Sequence, residues 1–352
     1  MKGTAMQRKE RFFVPLRFAV QKEEGFFASL RFAQNDILTA PTLVAVCLLA
    51  LMCPAALRAD YHQEKSLKLA PGGEFDLDAS VGSVTLTGSS ESGARIEITS
   101  NRDDLESLLD FSFDESAGAV RVTAHKKYHD WNWHNNIRVH FEVRVPTDTR
   151  VEIKTGGGSV RISSIKRDAD LNTSGGSIEA ADLGASLTAH TSGGSVRLER
   201  VMGQADVNTS GGEIRGSSIS GRLEARTSGG SIELEKVAGD LLAHTSGGSI
   251  RIEDAGGRVD AKTSGGSVEV RFAPGDNRGG DVETSGGGVR VEIDRSANLE
   301  LDASASGGSV SSDLPVKVVG TISASHLHGS IGSGGSMLRL HSDGGPIRIE
   351  GR

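Results

Sequence analysis

The chain has 352 residues with 39 basic and 46 acidic side chains, giving a formal net charge of −7 at pH 7, and it contains 46 glycines. This balance argues against a nucleic-acid partner, because phosphate binding needs a clustered basic face. Both cysteines, Cys47 and Cys53, lie in one apolar stretch, so the chain beyond them has no disulfide framework.

The part of the chain before Asp60 divides into two segments. Residues 1–36 contain the near-copies "RFFVPLRFA" and "GFFASLRFA", and we interpret this segment as a doubtful N-terminal extension translated from upstream DNA. Residues 37–59 begin with an uncharged stretch from Ile37 to Leu57 and resemble a secretory signal peptide, although their length also permits an uncleaved membrane anchor. Either alternative places the rest of the chain outside the cytoplasm, in the periplasm, the cell envelope or the medium. Residues 1–59 hold eight basic and four acidic side chains, so the remainder carries 31 against 42, a formal charge of −11.

Residues 60–153 show strand-like alternation without a regular period. We expect them to form an N-terminal cap and the first irregular rungs of a repeat structure, because a stack of strands must protect its open end from aggregation.

Within this region, the stretch "HKKYHDWNWH" holds both tryptophans of the chain. Its rings could offer an exposed platform for a sugar or a protein partner. His125, His129 and His134 could instead bind a metal, and a third alternative is that the rings simply pack against the first rung. We take one set of residues as candidate ligand contacts: Tyr128, His129, Trp131, Trp133 and His134. We predict no catalytic residue, no metal site and no cofactor.

Residues 154–352 are repetitive. Near-copies of "TSGGSI" recur at one constant spacing from Thr155 through Thr173 and Thr191 to Thr263, and two further copies follow at wider intervals, at Thr284 and Ala305. Each copy holds two short alternating segments separated by glycine-containing corners, which is typical of one flattened rung with two strands. Successive rungs should stack as parallel strands about 4.8 Å apart. The sequence therefore predicts an all-β fold, a single two-sheet parallel β-solenoid.

The apolar columns indicate which side chains point inward. Inward positions recur five and seven residues after each Thr, and the repeated Thr itself is predicted inward. At the other corner, Gly203, Gly221, Gly239 and Gly257 share one offset, where we expect a positive φ. The segment "GGSMLRLHSDGGPIRIEGR" should form the last rung.

Together, the apolar segment, the strand ending in "VRVP", the serial "TSGGSI" corners and "GGPIRIEG" resemble a bacterial β-strand-repeat domain of unknown function that is labelled a "putative adhesin" family. The resemblance covers about residues 66–352 and implies a non-enzymatic surface protein. It implies no particular site residues.

We therefore predict a non-enzymatic extracytoplasmic module of the cell envelope, whose partner is an envelope polysaccharide or an envelope protein. The alternative is a carbohydrate-active β-helix enzyme, a lyase or hydrolase, but short glycine corners build no walls around a catalytic groove. Calcium-binding roll repeats are disfavoured because they need an Asp that "TSGGSI" lacks. Ice binding is disfavoured because it needs an outward array of Thr, whereas the repeated Thr is predicted inward.

Overall fold

The computed structural model describes residues 61–116, 118–127, 137–276, 278–318 and 323–352. Almost every element in these ranges is a strand. The strands before the regular repeats are β1 (Tyr61–Leu67), β2 (Glu74–Ala79), β3 (Ser83–Ser89), β4 (Ala94–Ser100), β5 (Leu109–Ser116), β6 (Ala119–Lys126) and β7 (Val139–Pro146). A four-residue helix, α1 (Leu105–Leu108), lies between β4 and β5. Among the described residues, no helix has the length and apolar character needed to cross a membrane. The predicted signal or anchor, residues 37–59, lies outside them.

The strands of the regular repeats are shorter. They are β8 (Arg150–Thr155), β9 (Val160–Ile165), β10 (Ala169–Thr173), β11 (Ile178–Leu183), β12 (Leu187–Thr191), β13 (Val196–Val201), β14 (Ala205–Thr209), β15 (Ile214–Ile219), β16 (Leu223–Thr227), β17 (Ile232–Val237), β18 (Leu241–Thr245), β19 (Ile250–Ala255), β20 (Val259–Thr263), β21 (Val268–Phe272), β22 (Gly280–Thr284) and β23 (Val289–Ile293). The remaining strands are β24 (Leu299–Ala305), β25 (Val310–Ser312), β26 (Val316–Val318), β27 (His326–Ile331), β28 (Ser336–Ser342) and β29 (Ile347–Gly351).

These strands form two sheets. Sheet A has 14 strands in the order β1-β4-β7-β3-β9-β11-β13-β15-β17-β19-β21-β23-β29-β25, and sheet B has 15 in the order β26-β27-β24-β28-β22-β20-β18-β16-β14-β12-β10-β8-β2-β6-β5. From β8 to β23 the chain alternates between the sheets, and each strand pairs in parallel with the strand two elements later, so that Ile178 faces Val196. Sheet A spans about 60 Å at the usual spacing of parallel strands. The predicted two-sheet parallel solenoid is confirmed.

The core lies between the two sheets and follows the predicted inward columns. Ile178, Ala180, Leu187 and Ala189 are all buried, as are their counterparts in the neighbouring rungs. The side chains are small or β-branched, which suits two closely spaced sheets.

A third inward column follows a backbone irregularity that the alternation did not predict. Six non-glycine residues of sheet A adopt left-handed conformations with φ between 55° and 61°: Ser164, Asp182, Arg200, Ser218, Lys236 and Asp254. Each shifts the alternation by one residue, so the side chain that follows it turns into the core. The buried residues that result are Ile165, Leu183, Val201, Ile219, Val237 and Ala255.

The glycines of the corner between the sheets have a different role from the predicted one. Positive φ was expected at Gly203, Gly221, Gly239 and Gly257, and that expectation is wrong. These glycines are needed because the backbones of successive rungs come very close there: a Cβ on Gly203 would overlap Ala185 and lie 2.7 Å from the Ser186 nitrogen. These positions therefore require glycine because there is no room for a Cβ between successive rungs.

The repeated threonines are buried, as predicted, and they connect the rungs. Thr191 Oγ1 donates a hydrogen bond of 2.8 Å to the Gly176 carbonyl of the preceding rung and accepts one of 3.2 Å from the Gly194 N–H of its own corner. The same donor bond joins Thr209 to Gly194 and Thr227 to Gly212. Buried hydroxyls are stable only with such partners, so the threonine column fixes the stacking of the "TSGG" corners.

Both ends of the solenoid contain a rung that is out of chain order. The rung made of β28 and β29 does not lie last, as expected, but between the β22–β23 rung and the β24–β25 rung. At the other end, the β2–β3 rung lies between the β6–β7 and β8–β9 rungs. Antiparallel strands are added outside these rungs: β4 and β1 in sheet A, and β5, β27 and β26 in sheet B. At the two ends, the order of the rungs in the stack therefore follows the pairing between strands and not the order of the strands along the chain.

Candidate functional site

The five candidate contact residues cannot be placed. Tyr128, His129, Trp131, Trp133 and His134 lie outside the described residues, so their role in ligand contact stays a prediction. The metal alternative has only one described member, His125. Its Nε2 lies 3.8 Å from Asp78 Oδ2, and its Nδ1 lies 3.4 Å from Ser80 Oγ. Among the described residues, no group of three or more His, Cys, Asp or Glu side chains could hold a metal ion.

The regular rungs present open faces because their corners are short. Three residues connect Ile165 of β9 to Ala169 of β10, and four connect Thr173 to Ile178 of β11. Corners of this length cannot form walls above a sheet. Any ligand of this part of the molecule therefore has to bind to an outward face or along a corner edge.

Sheet A carries two outward columns of side chains. The first, which we call the charged column, consists of Arg161, Glu179, Arg197, Arg215, Glu233 and Arg251. The second, which we call the short column, begins with Ser163, Ala181, Glu199 and Ser217. The columns are two residues apart along each strand, or about 6.6 Å.

Most members of the charged column form ion pairs along the stack. Arg161 Nε donates to Glu179 Oε2 at 2.6 Å, and this hydrogen bond lowers the pKa of the Glu179 carboxyl. Arg215 Nε donates to Glu233 Oε2 at 3.0 Å, and Arg215 also pairs with Glu213. These contacts hold the guanidinium and carboxylate groups in place along the face, although exposed pairs of this kind add little stability.

Arg197 differs from its neighbours in the charged column. It lies directly opposite Glu179 on one side and Arg215 on the other, but the Glu179 carboxylate bonds to Arg161 instead. Arg197 acts on Glu179 only at longer range, where its charge is the smallest contribution to the lowered pKa of that carboxyl. Its neighbour Arg215 is itself paired with Glu213 and Glu233. Within the described part of the chain, Arg197 is therefore an exposed cation without a direct ion pair.

Two depressions lie along the space between the two columns and meet at Arg197. One has a volume of about 210 Å³ and extends from Thr85 and Arg161 to Glu199. The other has a volume of about 540 Å³ and extends from Arg197 to Arg251 and Glu253. We call the two together the sheet A groove.

The local sequence explains why the sheet A groove exists. Ala181 and Ser217 of the short column have small side chains that leave the space beside the charged column open, whereas Gly216, like Leu198 and Leu234 in the neighbouring rungs, is an inward position and does not shape the outward face. The groove floor is backbone and apolar side chain, and one of its walls is the charged column. The sequence analysis did not find the groove. The signal that could have found it is the run of small side chains in the short column, Ser163, Ala181 and Ser217.

Sheet B has a different outward face. Lys154 pairs with Glu152 and Arg226 with Glu224, whereas Asp170 and Asp206 have no ion-pair partner among the described residues. The first outward column from β8 to β16 reads Glu152, Asp170, Thr188, Asp206 and Glu224. The second outward column of the same strands reads Lys154, Asn172, His190, Asn208 and Arg226, so this face is acidic along its first column only.

A third depression, of about 530 Å³, lies along the corner edge between the sheets. Met202, which is 63% exposed, lies there beside the buried residues Leu183 and Ile219. Two cations at this edge are already paired, Arg200 with Asp182 and Lys236 with Glu235. Lys166 also lines this edge and has no ion pair among the described residues, so it is the cation that remains available there.

Comparison with known proteins identifies a family. The model of the family described as Toastrack DUF4097 matches residues 73–350. A search of curated proteins returned no match.

Several solved bacterial structures are similar to the chain. A "putative adhesin" from Bacteroides fragilis is 13% identical, with 83% of this chain and 97% of the other covered at a TM-score of 0.34. A "putative lipid binding protein" from Parabacteroides distasonis is also 13% identical, with 82% and 96% covered at a TM-score of 0.38. A "putative cell adhesion protein" from Clostridium sporogenes is 10% identical, with 83% and 100% covered at a TM-score of 0.20. The family assignment rests on the sequence match.

Proposed function

The chain belongs to the Toastrack DUF4097 family, a domain of unknown function, and we propose that it acts as a non-enzymatic, adhesin-like module that binds a component of the cell envelope. The observation that carries this proposal is the open, repetitive surface. Two extended sheets present the same kinds of side chain rung after rung, and the corners from β8 to β21 have three or four residues. Such a surface suits many similar contacts along a partner, as in other solenoid proteins.

The proposed location is extracytoplasmic. It is supported by the apolar segment of residues 37–59, which has the character of an export signal or an anchor. Exposure of the solenoid can be tested by adding a protease to intact cells and to spheroplasts. Cleavage in either preparation, while a cytoplasmic marker protein stays intact, would support an envelope location. Protection until the inner membrane is broken would contradict it.

Binding can be tested by sedimentation of the purified protein with isolated cell envelope. We expect co-sedimentation with the envelope and release when its polysaccharide is removed enzymatically. A protein that stays in the supernatant would contradict the proposal, and retention by polysaccharide-free membranes would favour an envelope protein as the partner.

The alternative function, a carbohydrate-active enzyme, predicts a different result, namely the release of products from the polysaccharide. Catalysis on a glycan would require convergent acid and base groups around the scissile bond. In the sheet A groove the carboxylates of Glu179 and Glu233 are engaged by arginines. We therefore expect no new reducing ends and no unsaturated sugars after prolonged incubation with envelope polysaccharide.

A further inference from the structure

We propose that the sheet A groove binds a linear polysaccharide that carries carboxylate groups, and that Arg197 receives one of these carboxylates. This inference rests on the proposed function, because it names the partner and the surface that an envelope-binding module would use.

The first argument is the charge at Arg197. Arg197 is exposed, lacks a direct ion pair among the described side chains and faces the like charge of Arg215 at the next rung. Because Glu213 and Glu233 already pair with Arg215, the charge left for a ligand at these two rungs is that of Arg197. The planar guanidinium matches a carboxylate in a bidentate geometry, which gives specificity as well as attraction.

The second argument is the shape of the sheet A groove. The strands that contribute to it follow one another in the sheet from β3, with Thr85, to β19, with Arg251. Six strand intervals correspond to about 29 Å along the solenoid axis. The groove is only as wide as the distance between two outward columns, so a single extended chain fits along it. A globular partner would touch only its rims.

The third argument is the side chains opposite Arg197. In the rungs on either side of it, the short column holds Ala181 and Ser217, which leave the groove floor open. Glu199, in the same rung as Arg197, lines the first depression, but its carboxylate is paired with Arg200. A sugar ring can therefore lie flat on the floor with its carboxylate directed at Arg197.

The net charge limits the ligand further. Glu235 and Glu253 face the far end of the groove, and the whole chain is acidic. A densely charged polyanion such as nucleic acid would be repelled from these carboxylates. The fit is to a polymer with widely spaced carboxylates among neutral hydroxyl groups, and partial methyl esterification provides such a spacing experimentally.

The test uses partly de-esterified polygalacturonate as the carboxylate probe and the fully methyl-esterified polymer as the neutral probe with the same backbone. Binding is measured by titration calorimetry for the wild type, Arg197→Gln, Arg197→Lys and Arg348→Gln. Arg348 is the matched control, because it is an exposed arginine on the same face, directly opposite Arg290, and lines neither depression of the sheet A groove.

We expect the wild type to bind the carboxylate probe, and to bind it more weakly as salt is raised. Arg197→Gln should weaken binding by about tenfold or more, because a charge-assisted bidentate contact is lost. Arg197→Lys should retain part of the affinity, and Arg348→Gln should stay within about twofold of the wild type. Because Arg197 is exposed and has no direct ion pair among the described residues, the melting temperature of Arg197→Gln should be unchanged.

Four binding results would overturn the inference. The first two are equal affinity of Arg197→Gln and wild type, and equal affinity for the esterified and de-esterified polymers. The other two are stronger binding of inorganic polyphosphate than of polygalacturonate, and an extended peptide that competes for the groove with higher affinity. If Arg197→Gln sediments with the cell envelope as the wild type does, the groove assignment fails while the proposed function stands. If the wild type does not sediment at all, the proposed function itself fails.

Discussion

Substituting the two adjacent glycines of one "TSGG" corner by alanine should have opposite effects. A Cβ added to Gly194 would overlap the Gly176 carbonyl of the preceding rung and lie 2.6 Å from the Ser177 nitrogen. A Cβ added to Gly193 would find its nearest atom, the Gly175 oxygen, at 3.8 Å, an ordinary van der Waals distance. Neither glycine has a positive φ, so the backbone conformation of both can be adopted by alanine.

The magnitudes follow from these distances. Gly193→Ala should leave the free energy of unfolding unchanged or raise it by about 0.4–1 kcal/mol, because alanine restricts the unfolded chain without a clash. Gly194→Ala must push two backbones apart, and overpacking of this kind costs about 1–3 kcal/mol. The Gly176 carbonyl that would be displaced also accepts the Thr191 hydrogen bond, whose loss adds about 1 kcal/mol. We expect a total loss of about 2–4 kcal/mol, a large fraction of the stability of a typical domain.

The measurement is equilibrium unfolding in urea, followed by the β-signal in far-ultraviolet circular dichroism. The midpoint should fall for Gly194→Ala and stay level or rise for Gly193→Ala, at similar slopes. If the two variants unfold with free energies within about 0.5 kcal/mol of each other, the spacing of the corners is not set by the second glycine.

Three further predictions concern other parts of the solenoid. Lys236 adopts φ 55°, a conformation that glycine takes without strain, so Lys236→Gly should keep or raise the melting temperature. Glu235→Gly, in the same strand but at a residue without positive φ, should lower it. Equal losses in the two variants would contradict the role assigned to the left-handed residue. Deleting residues 336–352 removes a rung that is paired on both sides, so the amide hydrogens of β24 that face β28 should lose their protection from exchange, while those that bond to β27 keep it. Unchanged protection on the β28 side would show that β24 can pair with β22 directly. The pKa of Glu179 is lowered by its hydrogen bond to Arg161, so the stability that this carboxylate contributes is present above its unfolded pKa of about 4.3 and is lost as the pH falls through its lower folded value. The melting temperature of Arg161→Gln should accordingly fall less than that of the wild type between about pH 5 and about pH 3, and parallel curves would contradict this.

The regular rungs could be predicted from the sequence because their constraints are local and repeated. A fixed repeat period, alternating apolar columns and glycine corners determine which side chains face the core, and Ile232 and Thr191 lie where the columns placed them. The third inward column was missed because a strict alternation assigns Leu183 to the surface. Only the left-handed conformation of Asp182 reverses that assignment.

The order of the end rungs could not be predicted for a related reason. Strands with the same inward pattern can pair in many orders, so nothing local distinguishes β28 from a terminal strand. The candidate site was even harder to predict from the sequence. The repeat period puts Arg197 and Arg215 at equivalent positions of successive rungs. The absence of a direct ion pair at Arg197, among the side chains that the structure describes, depends instead on which way the Glu179 carboxylate turns. The direction of the Glu179 carboxylate depends on how the neighbouring side chains are arranged in three dimensions.

The inserted β28–β29 rung has a consequence for how the protein is made. In an ordinary stack, each newly synthesised rung can settle on the one before it, so the structure grows in step with the emerging chain. Here β24 and β25 emerge before the strands that separate them from β22 and β23. These two strands must stay unpaired on that side, or dissociate from a premature pairing with β22 and β23, until residues 336–351 have been synthesised and insert between them. The distal end of the solenoid therefore closes in a late, non-sequential step, and a chain interrupted before that step would expose unpaired strand edges that quality-control proteases can recognise.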